Sequence, residues 1–120
     1  MKAEEHLSRP EQFALVHRQG RSWAGKLVVM KTLPNGLGLS RYGFVVSKRT
    51  GKAVVRNRVK RLLREILRQI RLRPGWDIVF IARPGAASAS FADLRKLVLS
   101  LLSQAQLLLE NYEKSRLGTN

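Results

Sequence analysis

The chain has no cysteine, two histidines, and only eight acidic residues among 120. Without cysteine there is no disulfide framework, thiolate nucleophile or zinc–thiolate site, and a reducing cytoplasm is the expected compartment. The acids, at Glu4, Glu5, Glu11, Glu65, Asp77, Asp93, Glu110 and Glu113, are scattered. None has the spacing of a two-metal nuclease site, so no catalytic or metal-binding set of protein side chains is expected. Asp77 follows Trp76 at a strand start, where a turn or pairing role is expected of it. No apolar run reaches the roughly 18 residues of a membrane span. The opening "MKAEEHLSRPEQ" lacks the apolar stretch of a signal peptide.

Cations are what the chain has in excess. Lys and Arg number 23, giving a formal net charge of +15 and a pI near 11.6. Such a field attracts polyanions and opposes compaction. With 44% hydrophobic residues the chain still reads as globular, one domain over 1–120 with frayed ends at 1–7 and 115–120.

"SRPE" starts a first helix, with Ser8 as cap, Glu11 completing a capping box and Pro10 in the first turn. The helix carries "QFALVHR" and ends before Gly20. "RSWAG" is a short strand, and "KLVVMKTL" and "SRYGFVVS" are strands on either side of the Asn35-Gly36 turn, which suggests an antiparallel hairpin. A basic helix follows and closes at "RPGWD". "DIVFIA" is a buried strand, and Ser90 and Asp93 start a long last helix through Ser115. In that helix Leu94, Val98, Leu101, Ala105, Leu108 and Tyr112 have the spacing of a coiled-coil seam. Without charged flanking pairs they read better as a face covering the domain's own sheet. The fold class is α+β: helices packed on a four-stranded sheet in the order α-β-β-β-α-β-α.

At 100° per residue, Val55, Val59, Leu62, Leu63, Ile66 and Ile70 share one face of the basic helix. Asn57, Lys60, Arg61, Arg64, Arg68 and Arg71 lie opposite, and Arg56 and Arg58 flank from either edge. Both of these lie off the apolar face, so their removal is expected to leave the domain folded. From Lys48 to Arg73 there are eleven cations and one acid, Glu65. A face meant only for solubility mixes signs. The preponderance of Arg points to phosphate, which guanidinium engages bidentately. The patch therefore reads as a nucleic-acid surface, with DNA and RNA not separated by spacing alone.

"GKAVVRNRVKRLLRE" resembles the signature of the bacterial ribonuclease P protein subunit. "EQFALVHRQGRS", "GFVVSKRTG" and "DIVFIARPGA" are similar to that family's first helix and to the strands before and after the signature. The resemblance spans roughly residues 8 to 110. It implies a protein that assists a catalytic RNA, which uses Mg²⁺ to remove the 5′ leader of precursor tRNA. It places the basic helix in a β-α-β crossover and in contact with that RNA through Arg56, Asn57, Arg58, Lys60, Arg61 and Arg64; Lys48, Arg49, Lys52 and Arg68 join them as RNA-binding candidates on charge. The single-stranded leader would lie in a cleft at Phe13. His17 and Lys31 stand there where many members carry aromatic residues, and His17, with no partner ligand nearby, reads as a cleft or surface residue. The implied partners are ribonuclease P RNA and precursor tRNA, with one protein per RNA and a free monomer. A general or ribosomal-type nucleic-acid-binding protein would not require Phe13 or the strands around Arg56–Arg58. A membrane-surface protein would need a broader apolar face than this helix has.

Overall fold

A computed structural model describes residues 6–109 of the chain. The elements are α1 (Pro10–Gln19), β1 (Arg21–Ala24), β2 (Val28–Pro34), β3 (Arg41–Val45), α2 (Ala53–Arg68), β4 (Trp76–Ala82) and α3 (Phe91–Gln104). Short 3₁₀ turns occupy Lys48–Thr50 and Pro84–Ser88. The order matches the α+β expectation of a single domain with four strands. Residues 1–5 and 110–120, including most of the ends expected to fray, lie outside the described residues. His6 and Leu7 are tied down: His6 pairs with Tyr42, whose carbonyl accepts the Leu7 N–H at 3.0 Å.

The sheet order is β1-β2-β4-β3, with β1–β2 and β2–β4 antiparallel and β3–β4 parallel. The expected hairpin across Asn35-Gly36 is therefore not formed, because β4 lies between β2 and β3. The reason is visible in the loop. The Asn35 side chain accepts from Leu37 N–H at 2.8 Å and donates to Asp77 at 2.9 Å and to Leu39 O at 3.2 Å. The Asn35 N–H also donates to Gly75 O at 2.9 Å. Asn35 thus fastens the loop over the start of β4 instead of closing a two-residue turn. The parallel β3–β4 pair requires a crossover, and α2 supplies it.

β4 is apolar without alternation because both of its faces are covered. Ile78 and Phe80 enter the main core with Val28, Met30, Val59, Leu63, Ile66, Leu94, Val98 and Leu102, all fully buried beneath α2 and α3. Val79 faces the other way, into a smaller cluster with Leu7 and Val16, against which Phe13, Leu33 and Ile81 pack. Successive strand residues point to opposite faces. So α2 and α3 cover one face of the sheet, and α1 covers part of the other.

Helix ends differ from the sequence expectations in three places. At α1 the Gln12 carboxamide, not a Ser8–Glu11 box, accepts from the N–H groups of Ser8 and Arg9, each at 3.0 Å, leaving Arg9 as the N-cap. α2 stops at Arg68, short of Pro74. Leu72 instead pairs with Leu108, and Arg73 N–H and Leu109 N–H donate to Leu107 O and Arg71 O. Proline disfavours helix in the residue before it, and this extended pairing satisfies the freed backbone. α3 ends at Gln104, because Gln106 adopts φ 60° and turns the chain back so that Leu107 and Leu108 are buried. The coiled-coil seam is thereby interrupted after Ala105. Leu94, Val98 and Leu101 serve the domain's own core, and Tyr112 and the rest of the expected helix lie outside the described residues. The Ser90 cap is as expected, accepting from Asp93 N–H at 3.1 Å.

Candidate nucleic-acid interface

α2 turns Val59, Leu63, Ile66 and Leu67 into the core. With that stripe fixed, the helix exposes Lys52, Asn57, Arg61, Arg64 and Arg68, while Arg56, Arg58 and Lys60 are half-buried. Lys48 and Arg49 extend this surface from the preceding turn, where Ser47 Oγ accepts the Arg49 N–H at 3.3 Å. Arg68 forms an exposed pair with Glu65 at 3.1 Å, of the kind that adds little stability. Among the described residues no other cation of the ridge forms an ion pair. Val54, 82% exposed, stands among them at the start of the helix.

Two arginines of the triplet also work inside the fold. Arg56 Nη1 donates to Gly51 O at 2.9 Å, clamping the Lys48–Thr50 turn to the helix. Gly51 itself has φ 148°, a conformation open to glycine and strained for other residues. Arg58 donates from Nη1 to Ala87 O and from Nη2 to Ala89 O at 3.3 and 3.2 Å, bridging α2 to the turn before α3. Both side chains lie off the buried stripe, yet both hydrogen-bond within the fold, Arg56 to one carbonyl and Arg58 to two. The signal was present: Val55 and Leu62, at i−3 and i+4, place Arg58 beside the apolar stripe.

The second part of the site lies on the opposite face of the sheet. Phe13, Ala14 and His17 of α1 face Lys31 of β2, Val45 of β3, and Val79 and Ile81 of β4 across a cleft of about 350 Å³. The register accounts for its floor: Lys31 and Gly43 both pair with Val79, so the three form one row across the strands. Gly43 matters here because a Cβ on it would come within 2.5 Å of Phe13 Cζ. Lys31 Nζ donates to His17 O at 3.1 Å and lies 3.4 Å from His17 Nδ1. The structure thus brings Phe13, His17 and Lys31 together around one apolar-floored groove carrying a cation and an imidazole.

Asp77 is structural, as its place at a strand start suggested. It is 5% exposed and accepts from Arg41 Nε and Nη2 at 2.8 and 2.7 Å, and from Asn35. The Asp77 hydrogen bond, more than its charge, raises the Arg41 guanidinium above its ordinary value against the opposing effect of burial. Among the described residues no three His, Asp or Glu side chains gather in a way that could hold a metal ion. No described helix is long and apolar enough to cross a membrane.

Comparison with known proteins identifies the family and the fold. The family model described as Ribonuclease P matches residues 1–106. The ribonuclease P protein component of Dehalococcoides mccartyi strain CBDB1 is 48% identical over 120 residues, covering all of both chains. That of Roseiflexus castenholzii is 45% identical over 108 residues, 88% of each chain. The fold is shared with the RNase P protein from Thermotoga maritima at a TM-score of 0.74 and 34% identity, covering 83% of this chain and 96% of that one. It is shared also with the Staphylococcus aureus RNase P protein at a TM-score of 0.79 and 28% identity, covering 90% and 100%. The chain belongs to the ribonuclease P protein component family.

Proposed function

We propose that the chain binds the catalytic RNA through the cationic ridge of Lys48–Arg68 and holds the 5′ leader of precursor tRNA in the cleft of Phe13, His17 and Lys31. Family membership makes it the protein component of a ribonucleoprotein endoribonuclease, whose partner is RNA. The observation that carries the leader reading is that these three residues, from α1 and β2, line one groove. An apolar floor, an aromatic ring at Phe13 and a cation at Lys31 suit a single strand, which is held by stacking and backbone charge.

The protein's part is then electrostatic and positional. Eleven cations against one acid between Lys48 and Arg73 offset repulsion between two polyphosphates, and the cleft fixes where the leader leaves the cleavage site. Catalysis is then the work of the RNA subunit, with Mg²⁺ bound mainly through that RNA, as family membership supports. One protein serves each RNA, as a monomer when free, in the bacterial cytoplasm. The test is reconstitution. Added to a bacterial ribonuclease P RNA at low Mg²⁺, the protein restores accurate 5′ processing of precursor tRNA, and no stimulation at any Mg²⁺ concentration contradicts the proposal.

A further inference from the structure

The two tryptophans of the chain, Trp23 and Trp76, both line a cavity of about 530 Å³ that shares no lining residue with the ridge or the leader cleft. Trp23 lies opposite Met30 and Trp76 opposite Pro34, so both project from the α3 side of the sheet and flank β2, with Thr32 between their levels. Trp23 Nε1 donates to Thr32 Oγ1 at 3.4 Å, and the Arg21 guanidinium sits 4.4 Å from the Trp23 ring centre. The left-handed turn at Gln106 brings the exposed carboxamides of Gln104 and Gln106 to the rim. No acid among the described residues lines it.

We propose that this cavity receives an unpaired nucleotide of the RNA partner, as a third contact separate from ridge and cleft. The inference rests on the RNA-binding reading above. Each component matches part of a nucleotide. The Trp76 indole stacks on a base whatever its identity, while one face of Trp23 already carries Arg21. The Gln106 carboxamide presents a donor and an acceptor to a base edge, and Gln104, whose Nε2 donates to Ser100 Oγ at 3.1 Å, keeps its oxygen as an acceptor. Arg21, held against Trp23, keeps a positive charge at the mouth for phosphate. The volume is in the range of small-molecule sites, ample for a single nucleotide. Two tryptophans left half-exposed at one place on a protein of net charge +15 fit an anionic, flat partner.

Because both tryptophans line this cavity and neither tyrosine does, selectively excited tryptophan emission reports on it. A labelled oligoadenylate hexamer is titrated into the full chain, with anisotropy following total binding and tryptophan quenching following the cavity. Three proteins are compared: the wild type, Gln104→Glu with Gln106→Glu, and Arg61→Ala with Arg64→Ala. Both variants lower the net charge by two and alter only exposed side chains. The glutamate pair weakens quenching about tenfold, as carboxylates facing a nucleotide should. The helix variant weakens anisotropy-detected binding and shifts quenching much less. Binding without quenching, or equal loss of quenching in both variants, overturns the cavity assignment and leaves the ridge reading standing. A hexamer that binds nowhere overturns both.

Discussion

The ring of Phe13 lies over Gly43, where a single added Cβ would approach its Cζ to 2.5 Å. The helix that borders the cleft is thus seated on the one residue type that lets an aromatic ring reach the sheet. Gly43→Ala should displace Phe13 and cost roughly 1–3 kcal/mol through overpacking. The same change should weaken precursor tRNA binding, because the cleft wall moves. Thermal unfolding of the free protein and precursor affinity of the holoenzyme, measured on one preparation, check both effects.

Arg58 and Arg61 should behave differently although both belong to the ridge. Arg58→Ala removes two hydrogen bonds to Ala87 O and Ala89 O, and should destabilise the free domain by about 1–2 kcal/mol as well as weakening RNA binding. Arg61→Ala, fully on the solvent side, should leave the melting temperature within error and weaken binding by roughly 1–3 kcal/mol if it makes a charge-assisted contact. Melts and filter binding on the two single variants distinguish them.

The Arg41–Asp77 pair holds the β2–β3 loop and the start of β4 together. Asp77→Ala leaves Arg41 and Asn35 without their acceptor and should cost roughly 2–4 kcal/mol, reduced because Arg41 keeps some access to water. The folded Arg41 value is raised, so its contribution is complete below its ordinary pKa and is lost only as pH rises through the folded value. Between about pH 6 and 10 the stability difference between wild type and variant due to Arg41 titration should therefore be flat. Urea unfolding at several pH values measures it.

Binding of the RNA partner should be strongly salt-dependent. With about six cations releasing counterions, log K should fall against log salt with a slope of roughly −4 to −5, using the single-strand coefficient. Lys31→Ala should reduce the slope for leader-bearing substrate by about one and leave that for mature tRNA unchanged.

The parts of this fold written in local pattern were legible in the sequence. The unbroken run Ile78–Ile81 marked a strand covered on both faces, and the spacing of Val55, Val59, Leu63 and Ile66 marked both the buried stripe and the ridge opposite it. Neighbour order in the sheet was not legible, because alternation says which face a residue takes and not which strand lies beside it. Asn35-Gly36 reads as a hairpin turn until Asn35 is seen to bind Asp77, 42 residues away. The reversal after α3 carries no glycine: Gln106 takes the left-handed conformation so that Leu107 and Leu108 can be buried, a tertiary gain with no local signal. Phe13 and His17 share a face of α1 at i, i+4, but their meeting with Lys31 came from family resemblance, since His17 and Lys31, 14 positions apart on a helix and a strand, share no periodicity.

The most direct measurement is the affinity of reconstituted holoenzyme for precursor and mature tRNA, with wild-type protein and with Phe13→Ala, beside the unfolding free energy of each free protein. Stacking contributes about 1–3 kcal/mol per base, so the wild type should favour precursor and the variant should lose most of that preference while mature tRNA binding stays unchanged. Since Phe13 is only half-buried, its stability loss should fall below the roughly 3–5 kcal/mol of a core aromatic. A large stability loss with the precursor preference intact would contradict the account and make Phe13 a core residue with no hold on the leader.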